Sequence, residues 1–267
     1  VIFGILIGFL ALSRQWAFLL FPAYFLFTFF IEKKEEKITY FKFMFYSFLI
    51  GFFISSWFYF GLFLEYGSFT AFNKEPVSFS FKNQPISFYL PFGDEISYIF
   101  SKPIRPYFSN QFLPILYSDL WGDYWGYFKF TSKNISLGKN QLMVGDYLAR
   151  VNIVSLIPTI LMILGVSFGF KTAKKLNKNK NDLFFTYIFL AITTTFIGYL
   201  WFLIKYPALP TGDTNKATYM IQLFHMISLL SVAYLDKYNK SAKYPFVIFL
   251  LIAVYIHNYS AGLTGFL

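Results

Sequence analysis

Residues 183–204, LFFTYIFLAITTTFIGYLWFLI, form an apolar run that carries no charged side chain. An α-helix rises about 1.5 Å per residue, so about 20 residues cross the hydrocarbon core of a bilayer. This run is long enough, and Asp182 and Lys205 flank it with charge at its two ends. The run therefore predicts a membrane-spanning helix.

Similar runs recur along the chain. Of its 267 residues, 57% are hydrophobic and 13% are charged, whereas a soluble domain carries about 25% charged residues. The other apolar runs are 1–12, 16–31, 41–64, 153–170, 217–234 and 245–262. We therefore predict an all-α polytopic membrane protein with about seven transmembrane segments. The first segment is truncated, and the chain turns at Arg14 before the second.

Three short charged segments connect these runs on one side. They are EKKEEK at 32–37, KTAKKLNKNKND at 171–182 and DKYNKSAKY at 236–244. Lysine exceeds acid in the three together, so the positive-inside rule predicts that they are cytoplasmic. We expect a multi-pass protein of the cell (plasma) membrane, with the lipid bilayer as a partner. The net charge of +10 lies on scattered short loops rather than on one basic stripe, so no nucleic-acid partner is predicted.

These boundaries divide the chain into three parts: transmembrane segments at 1–64, one large external (periplasmic or extracellular) loop at 65–152, and transmembrane segments at 153–267. The loop is nearly neutral and rich in proline and aromatic residues. Its stretch FNKEPVSFSFKNQPISFYLPFGDE, at 72–95, has no helical period. Its prolines and its alternation of Phe with polar residues predict short extended pieces and turns, hence an irregular or mixed structure.

The stretch LYSDLWGDYWGYF, at 116–128, gathers acids and aromatic rings in this loop. Asp119 and Asp123 are four positions apart, so on a helix they share one face. Trp121, Tyr124 and Trp125 interleave with them. Carboxylates that hold hydroxyl groups, beside rings that stack on sugar faces, are typical of carbohydrate binding. The alternative is an interfacial aromatic belt with two solvated acids.

Two cations lie at the external ends of apolar runs. Arg14 is the only charge in the first 31 residues, and Lys216 precedes the run at 217–234. Both side chains suit a phosphate headgroup, arginine by its bidentate fork and lysine as a point charge. The alternative for each is snorkelling to the membrane surface. The sequence indicates no cofactor, and no motif decides for or against a divalent metal.

Four segments together carry a resemblance: GFLALSRQWAFLLFPAYFL (8–26), SSWFYFGLFLEYGSFTAFN (55–73), YSDLWGDYWGYF (117–128) and TGDTNKATYMIQLFHMISLL (211–230). In this order they resemble segments of the GT-C superfamily of membrane glycosyltransferases. The chain is similar to the subgroup of protein mannosyltransferases and lipid A aminoarabinose transferases. The resemblance implies a transferase that moves a sugar from a polyprenyl-phosphate carrier to an acceptor on the external face.

The resemblance also implies residue roles. Family members place a catalytic Asp in their first external loop, and no segment of this chain matches that loop. We therefore expect this chain to be the C-terminal, distal part of such an enzyme, with its catalytic residues unknown. Arg14 and Lys216 would hold the lipid phosphate, and Asp119, Trp121, Asp123, Tyr124 and Trp125 would bind the sugar or acceptor.

Two other functions stay open at this stage. One is a secondary transporter or flippase, although transporters usually carry acids within their helices and the apolar runs here contain no Asp or Glu. The other is a non-catalytic membrane subunit with an external recognition loop.

Overall fold

The computed structural model describes residues 1–13, 15–69, 76–90, 94–101, 103, 110–122, 139–176, 178–208, 214–238 and 243–264. All regular secondary structure among these residues is helical. The α-helices are α1 (Ile2–Ser13), α2 (Phe21–Leu26), α3 (Lys34–Tyr66), α4 (Ile86–Tyr89), α5 (Asp94–Ser101), α6 (Phe112–Trp121), α7 (Lys139–Val154), α8 (Leu156–Ala173), α9 (Lys180–Lys205), α10 (Ile221–Tyr238) and α11 (Lys243–Thr264). Four 3₁₀ helices add to them: Gln15–Leu20, Phe27–Phe30, Phe81–Asn83 and Ala217–Met220.

Each of the seven apolar runs coincides with a helical segment. Four of these segments are long and apolar enough to cross a membrane: Lys34–Tyr66, Leu156–Ala173, Lys180–Lys205 and Ala217–Lys237. Ile2–Ser13 and Trp16–Phe30 are shorter apolar helices. The chain is thus an all-helical protein with four candidate membrane-spanning helices in its described part.

The loops within the charged segments are shorter than predicted, because the neighbouring helices extend into these segments. α3 begins at Lys34, inside EKKEEK, with Glu35 and Glu36 in its first turn, where acids favour the positive end of the helix dipole. α9 begins with a reciprocal cap: the Asp182 N–H donates to Asn179 Oδ1 (2.8 Å), and the Asn179 N–H donates to Asp182 Oδ2 (3.4 Å). Local capping therefore sets these boundaries more than hydropathy does.

The chain forms two compact units that interleave along the sequence. The first comprises Val1–Glu75, Val166–Tyr199 and Gln222–Leu230. The second comprises Pro76–Gly165, Leu200–Ile221 and Ser231–Leu267.

In the first unit, α1 lies directly against α3 through small residues. A Cβ atom on Gly8 would fall 2.7 Å from Ile54 Cβ, and one on Gly4 would fall 2.8 Å from Ile50 Cβ. The contacting face of α3 includes Gly51, which is equally close to α1. Small residues let helix backbones approach, and such close packing is a main source of helix association in membranes.

Two of the three segments predicted to be cytoplasmic meet at one end of the first unit. The Lys178 backbone N–H donates to Glu32 Oε1 at 3.4 Å, and Lys178 Nζ lies 5.5 Å from the centroid of the Phe30 ring. A salt bridge joins Lys175 to Asp182 at 2.8 Å. These contacts place 32–37 beside 171–182 within the first unit; that both segments lie on one side of a membrane stays a prediction.

The second unit corrects the prediction for residues 65–152. Extended pieces were expected, but the described residues of this segment form α4, α5, α6 and most of α7 instead of strands. Residues 76–80, 84–85 and 110–111 are among the described residues of this segment that lie outside helices. Among the described residues of this segment, backbone donors such as those of Phe88 and Ile115 bond within or next to short helices, and the Val77 N–H bonds to the Lys205 carbonyl at the end of α9. The alternating Phe pattern reflects packing such as that of the buried Phe88 against Phe112.

Pro158 explains why α7 and α8 are separate helices. The helix is interrupted at Ser155, although the Ser155 N–H still donates to the Val151 carbonyl (2.9 Å) and the Thr159 N–H to the Ser155 carbonyl (3.0 Å). Proline has no N–H, so Pro158 cannot bond to the carbonyl of Val154, and its ring crowds that oxygen. The break therefore falls one turn before the proline, and the helix that precedes the apolar run begins inside the predicted loop.

Because the chain has no cysteine, single cysteines test the predicted sides of the membrane. In intact cells that make the full-length protein, Ser78→Cys should react with a membrane-impermeant maleimide. Glu35→Cys should react only after permeabilisation. Both side chains are exposed, so accessibility within the fold does not limit either reaction. Labelling of Glu35→Cys alone in intact cells would reverse the assignment of sides.

Candidate functional site

The second unit concentrates buried polar side chains in a largely apolar chain. Buried polar groups require hydrogen-bond partners, because an unpaired group costs about 1–3 kcal/mol. The side chains concerned are Gln84, Asn110, Gln111, Ser118, Asp119, Asn152 and Asn215, each at most 5% exposed. Their partners define the candidate site.

The first set of contacts caps the C-terminal end of α9. The last backbone carbonyls of an α-helix have no hydrogen-bond partner within the helix. Donors from residues 77–84 bond to the last three of its carbonyls: the Val77 N–H to Lys205 (2.9 Å), Asn83 Nδ2 to Ile204 (3.1 Å) and Gln84 Nε2 to Leu203 (2.8 Å). This stretch, which includes the 3₁₀ helix Phe81–Asn83, thus caps a distant helix.

Two asparagines extend this polar layer to α6. Asn110 Nδ2 donates to Gln84 Oε1 at 2.5 Å, just before α6 begins. Asn215 Nδ2 donates to the carbonyl of Phe112, the first residue of α6, at 2.9 Å. Both contacts hold the start of α6, the helix that carries the acidic stretch.

Asn152 joins three helices near the end of α7. Its Nδ2 donates to Ser118 Oγ (2.7 Å) and to the carbonyl of Ile99 (2.8 Å). The Tyr117 hydroxyl donates to the Asn152 carbonyl at 2.7 Å. Burial raises the pKa of the Tyr117 hydroxyl, so it stays protonated and serves as the donor at neutral pH.

Asp119 lies at the centre of the site. Its side chain is fully buried, and Oδ2 accepts a hydrogen bond from the backbone N–H of Ala217 at 2.5 Å. Ala217 begins the 3₁₀ helix that leads into α10, and a helix start leaves its first N–H groups without internal partners. The carboxylate therefore caps a helix that lies 98 positions away in sequence.

This bond brings Asp119 and Lys216 to one place. Lys216 is the extended residue that directly precedes Ala217, and its side chain is half-buried. The first N–H groups of a helix and its dipole attract anions. Here the Asp119 carboxylate occupies that position, and Lys216 is the cationic residue directly before the capped N–H group.

Trp121 borders an apolar cavity at the other end of α6. Its ring packs against Tyr147, Leu148 and Val151 of α7. The cavity has a volume of about 300 Å³, and its lining includes Trp121, Ser155 and Pro158 together with residues of α11. The aromatic side chain predicted to bind a sugar or acceptor thus lies half-buried at a cavity mouth.

The other predicted site residues fall outside the part of the chain that the structure describes. They are Arg14, Asp123, Tyr124 and Trp125. Their roles, including the pairing of Arg14 with Lys216 and of Asp123 with Asp119, stay predictions.

Sequence reasoning missed the amide side chains that organise the site. Asn215 directly precedes Lys216, and Asn110 lies two positions before Phe112, the first residue of α6. Asparagine next to a helix start is a capping signal. Here, however, both side chains bond to groups far away in sequence, a partnership that no local pattern indicates.

Comparison of the chain with protein-family models, with curated proteins and with solved structures gives no match.

Proposed function

We propose that this chain is the distal part of a membrane glycosyltransferase that moves a sugar from a polyprenyl-phosphate carrier to an acceptor on the external face. The observation that carries the proposal is the bond from the Ala217 N–H to Asp119, which fixes Lys216 at the start of a candidate membrane-spanning helix. The resemblance of four segments to GT-C enzymes supports the same function.

The proposal includes a topology. All seven apolar helical segments cross the cell membrane, and residues 65–152 lie outside with the polar layer at the membrane surface. The clustering of 32–37 with 171–182 at one end of the first unit supports this arrangement.

The chemistry required at the site is anion stabilisation. A lipid phosphate that leaves a sugar gains negative charge in the transition state, and preorganised donors stabilise that charge best. Lys216 supplies a point charge, and the Asp119 cap at Ala217 fixes the backbone that carries it. The chain's own contribution is therefore to bind and orient the phosphate.

Asp119 has a positioning task in this scheme. A carboxylate repels a phosphate even when it is hydrogen-bonded, so Asp119 does not bind the phosphate itself; its Oδ2 accepts from the backbone N–H of Ala217. The bond fixes the backbone beside Lys216. The role of Asp119 in sugar or acceptor binding stays a prediction, together with those of Trp121 and the three residues beyond it.

Replacement of Lys216 tests the proposal. In the full-length protein, Lys216→Ala should weaken the binding of a polyprenyl phosphate about ten- to a hundredfold, since a charge-assisted hydrogen bond contributes about 1.5–3 kcal/mol. Lys216→Arg should restore part of the affinity. Microscale thermophoresis in detergent with short-chain polyprenyl phosphate measures these constants.

Lys205→Ala is the matched control, because Lys205 lies in the same unit at the end of a membrane helix. It should leave the affinity unchanged. Equal affinity in wild type and Lys216→Ala would show that Lys216 only snorkels to the membrane surface.

A further inference from the structure

The loop between α8 and α9 (residues 174–179, "the α8–α9 loop") combines basic and apolar side chains in an unusual way. Leu176 is 89% exposed, although it is a large hydrophobic residue. Exposed lysines surround it in sequence: Lys171, Lys174 and Lys180. An exposed apolar side chain among cations is typical of segments that lie on a membrane surface.

Contacts of Lys175 and Lys178, on either side of Leu176 in sequence, hold this loop. Lys175 is paired with Asp182 (2.8 Å), and Lys178 Nζ donates to the Lys175 carbonyl. The backbone N–H of Lys178 is bonded to Glu32. These contacts fix the base of the loop, and Leu176 projects from it.

The same contacts leave the loop positively charged. Residues 171–182 contain the lysines 171, 174, 175, 178 and 180 and one acid, Asp182. The Asp182 carboxylate is engaged with Lys175. Lys174 Nζ lies 4.1 Å from the centroid of the Phe170 ring, so its ammonium group lies over the last aromatic residue of the apolar helix, where hydrocarbon gives way to headgroups.

We propose that the α8–α9 loop docks on the surface of an anionic lipid leaflet, with Leu176 inserted among the upper acyl carbons and the exposed lysines among acidic headgroups. The charge of the loop complements acidic phospholipids, and the loop directly follows a helix long and apolar enough to cross the membrane. An anionic membrane surface attracts nearby lysines. Each lysine raises the partitioning of the loop onto that surface roughly fivefold. This inference does not depend on the proposed sugar transfer.

A fluorescent sensor at position 176 tests the docking. Leu176→Cys in the full-length protein, labelled with the environment-sensitive dye NBD, should shift to the blue in nanodiscs that contain phosphatidylglycerol. It should not shift in pure phosphatidylcholine. Brominated acyl chains should quench the dye in the acidic nanodiscs alone.

Charge-neutral variants identify the headgroup contact. The triple variant Lys171→Gln/Lys174→Gln/Lys180→Gln should dock about a hundredfold more weakly, at roughly fivefold per lysine, so its dye should show no blue shift at the phosphatidylglycerol content that just saturates the shift of the wild type. The matched triple variant Lys33→Gln/Lys34→Gln/Lys37→Gln, at the neighbouring segment, should behave as wild type. Salt at 1 M, where the Debye length is about 3 Å, should abolish the shift.

Two further measurements separate docking on acidic lipid from other causes of a shift. With Leu176 intact, phosphatidylglycerol should raise the melting temperature of the wild type but not that of the first triple variant, provided both fold. Inorganic phosphate added to phosphatidylcholine nanodiscs should give no shift. A shift with phosphate alone, or an equal shift in both lipid compositions, would overturn the proposal.

Discussion

Asp119→Ala is expected to lower the free energy of unfolding of the full-length protein by about 1.5–3 kcal/mol, the range for a hydrogen bond to a charged group. The variant leaves the Ala217 N–H, at the start of a candidate membrane-spanning helix, without its carboxylate partner. Asp119→Asn keeps an acceptor oxygen at the same place and should recover most of the loss. Thermal unfolding in detergent, followed by tryptophan fluorescence, measures the difference.

Glu35→Ala is the matched control for Asp119→Ala, because Glu35 is an exposed acid on another helix. It should change stability little, since exposed charges contribute about 0–1 kcal/mol. If Asp119→Ala melts at the same temperature as Glu35→Ala, the carboxylate does not hold the start of the 217–238 segment.

Gly8→Ala is expected to destabilise the first unit by about 1–3 kcal/mol, the usual penalty for overpacking. The added methyl group would lie 2.7 Å from Ile54 Cβ, an atom close to the α3 backbone that cannot move alone. The two helices must therefore separate. Alanine favours helix over glycine by about 1 kcal/mol, so a net loss of stability identifies the clash.

Gly61→Ala is the matched control on α3, because no atom lies within 4 Å of a Cβ built at Gly61. The same substitution there should be neutral or stabilising. Equal effects of the two alanines on the melting temperature would show that α1 does not pack closely against α3.

Hydropathy predicted the positions of the apolar helices well. A long run without charge, such as 183–204, has no other way to satisfy its backbone inside a bilayer, so composition alone decides. Hydropathy failed where helices are short or amphipathic. α7 begins KNQLMVGD, which reads as a polar loop, yet its later residues Leu148 and Val151 are buried against Trp121.

The candidate site was predictable only in part. The charge of Lys216 at a helix start and the acids of 116–128 are visible in sequence. The hydrogen bond between Asp119 and Ala217, the residue after Lys216, is not visible in sequence. It joins residues 98 positions apart and depends on the contacts that hold α6 in place. The same holds for Gln84, whose side chain bonds to a carbonyl 119 positions away.

The rival functions differ in what happens to the lipid carrier. A transferase splits the sugar from the polyprenyl phosphate, whereas a transporter or flippase moves the intact molecule across the membrane. A non-catalytic subunit does neither by itself. The fate of the carrier therefore separates all three functions.

The most direct test is mass spectrometry of polyprenyl-phosphate lipids in membranes of cells that make either the full-length protein or its Lys216→Ala variant. We expect the wild type to convert the sugar-loaded carrier to bare polyprenyl phosphate. The variant should accumulate the loaded carrier at least about tenfold, the factor that corresponds to the loss of about 1.4 kcal/mol of transition-state stabilisation. Equal ratios of loaded to bare carrier in the two membranes would contradict the proposed function.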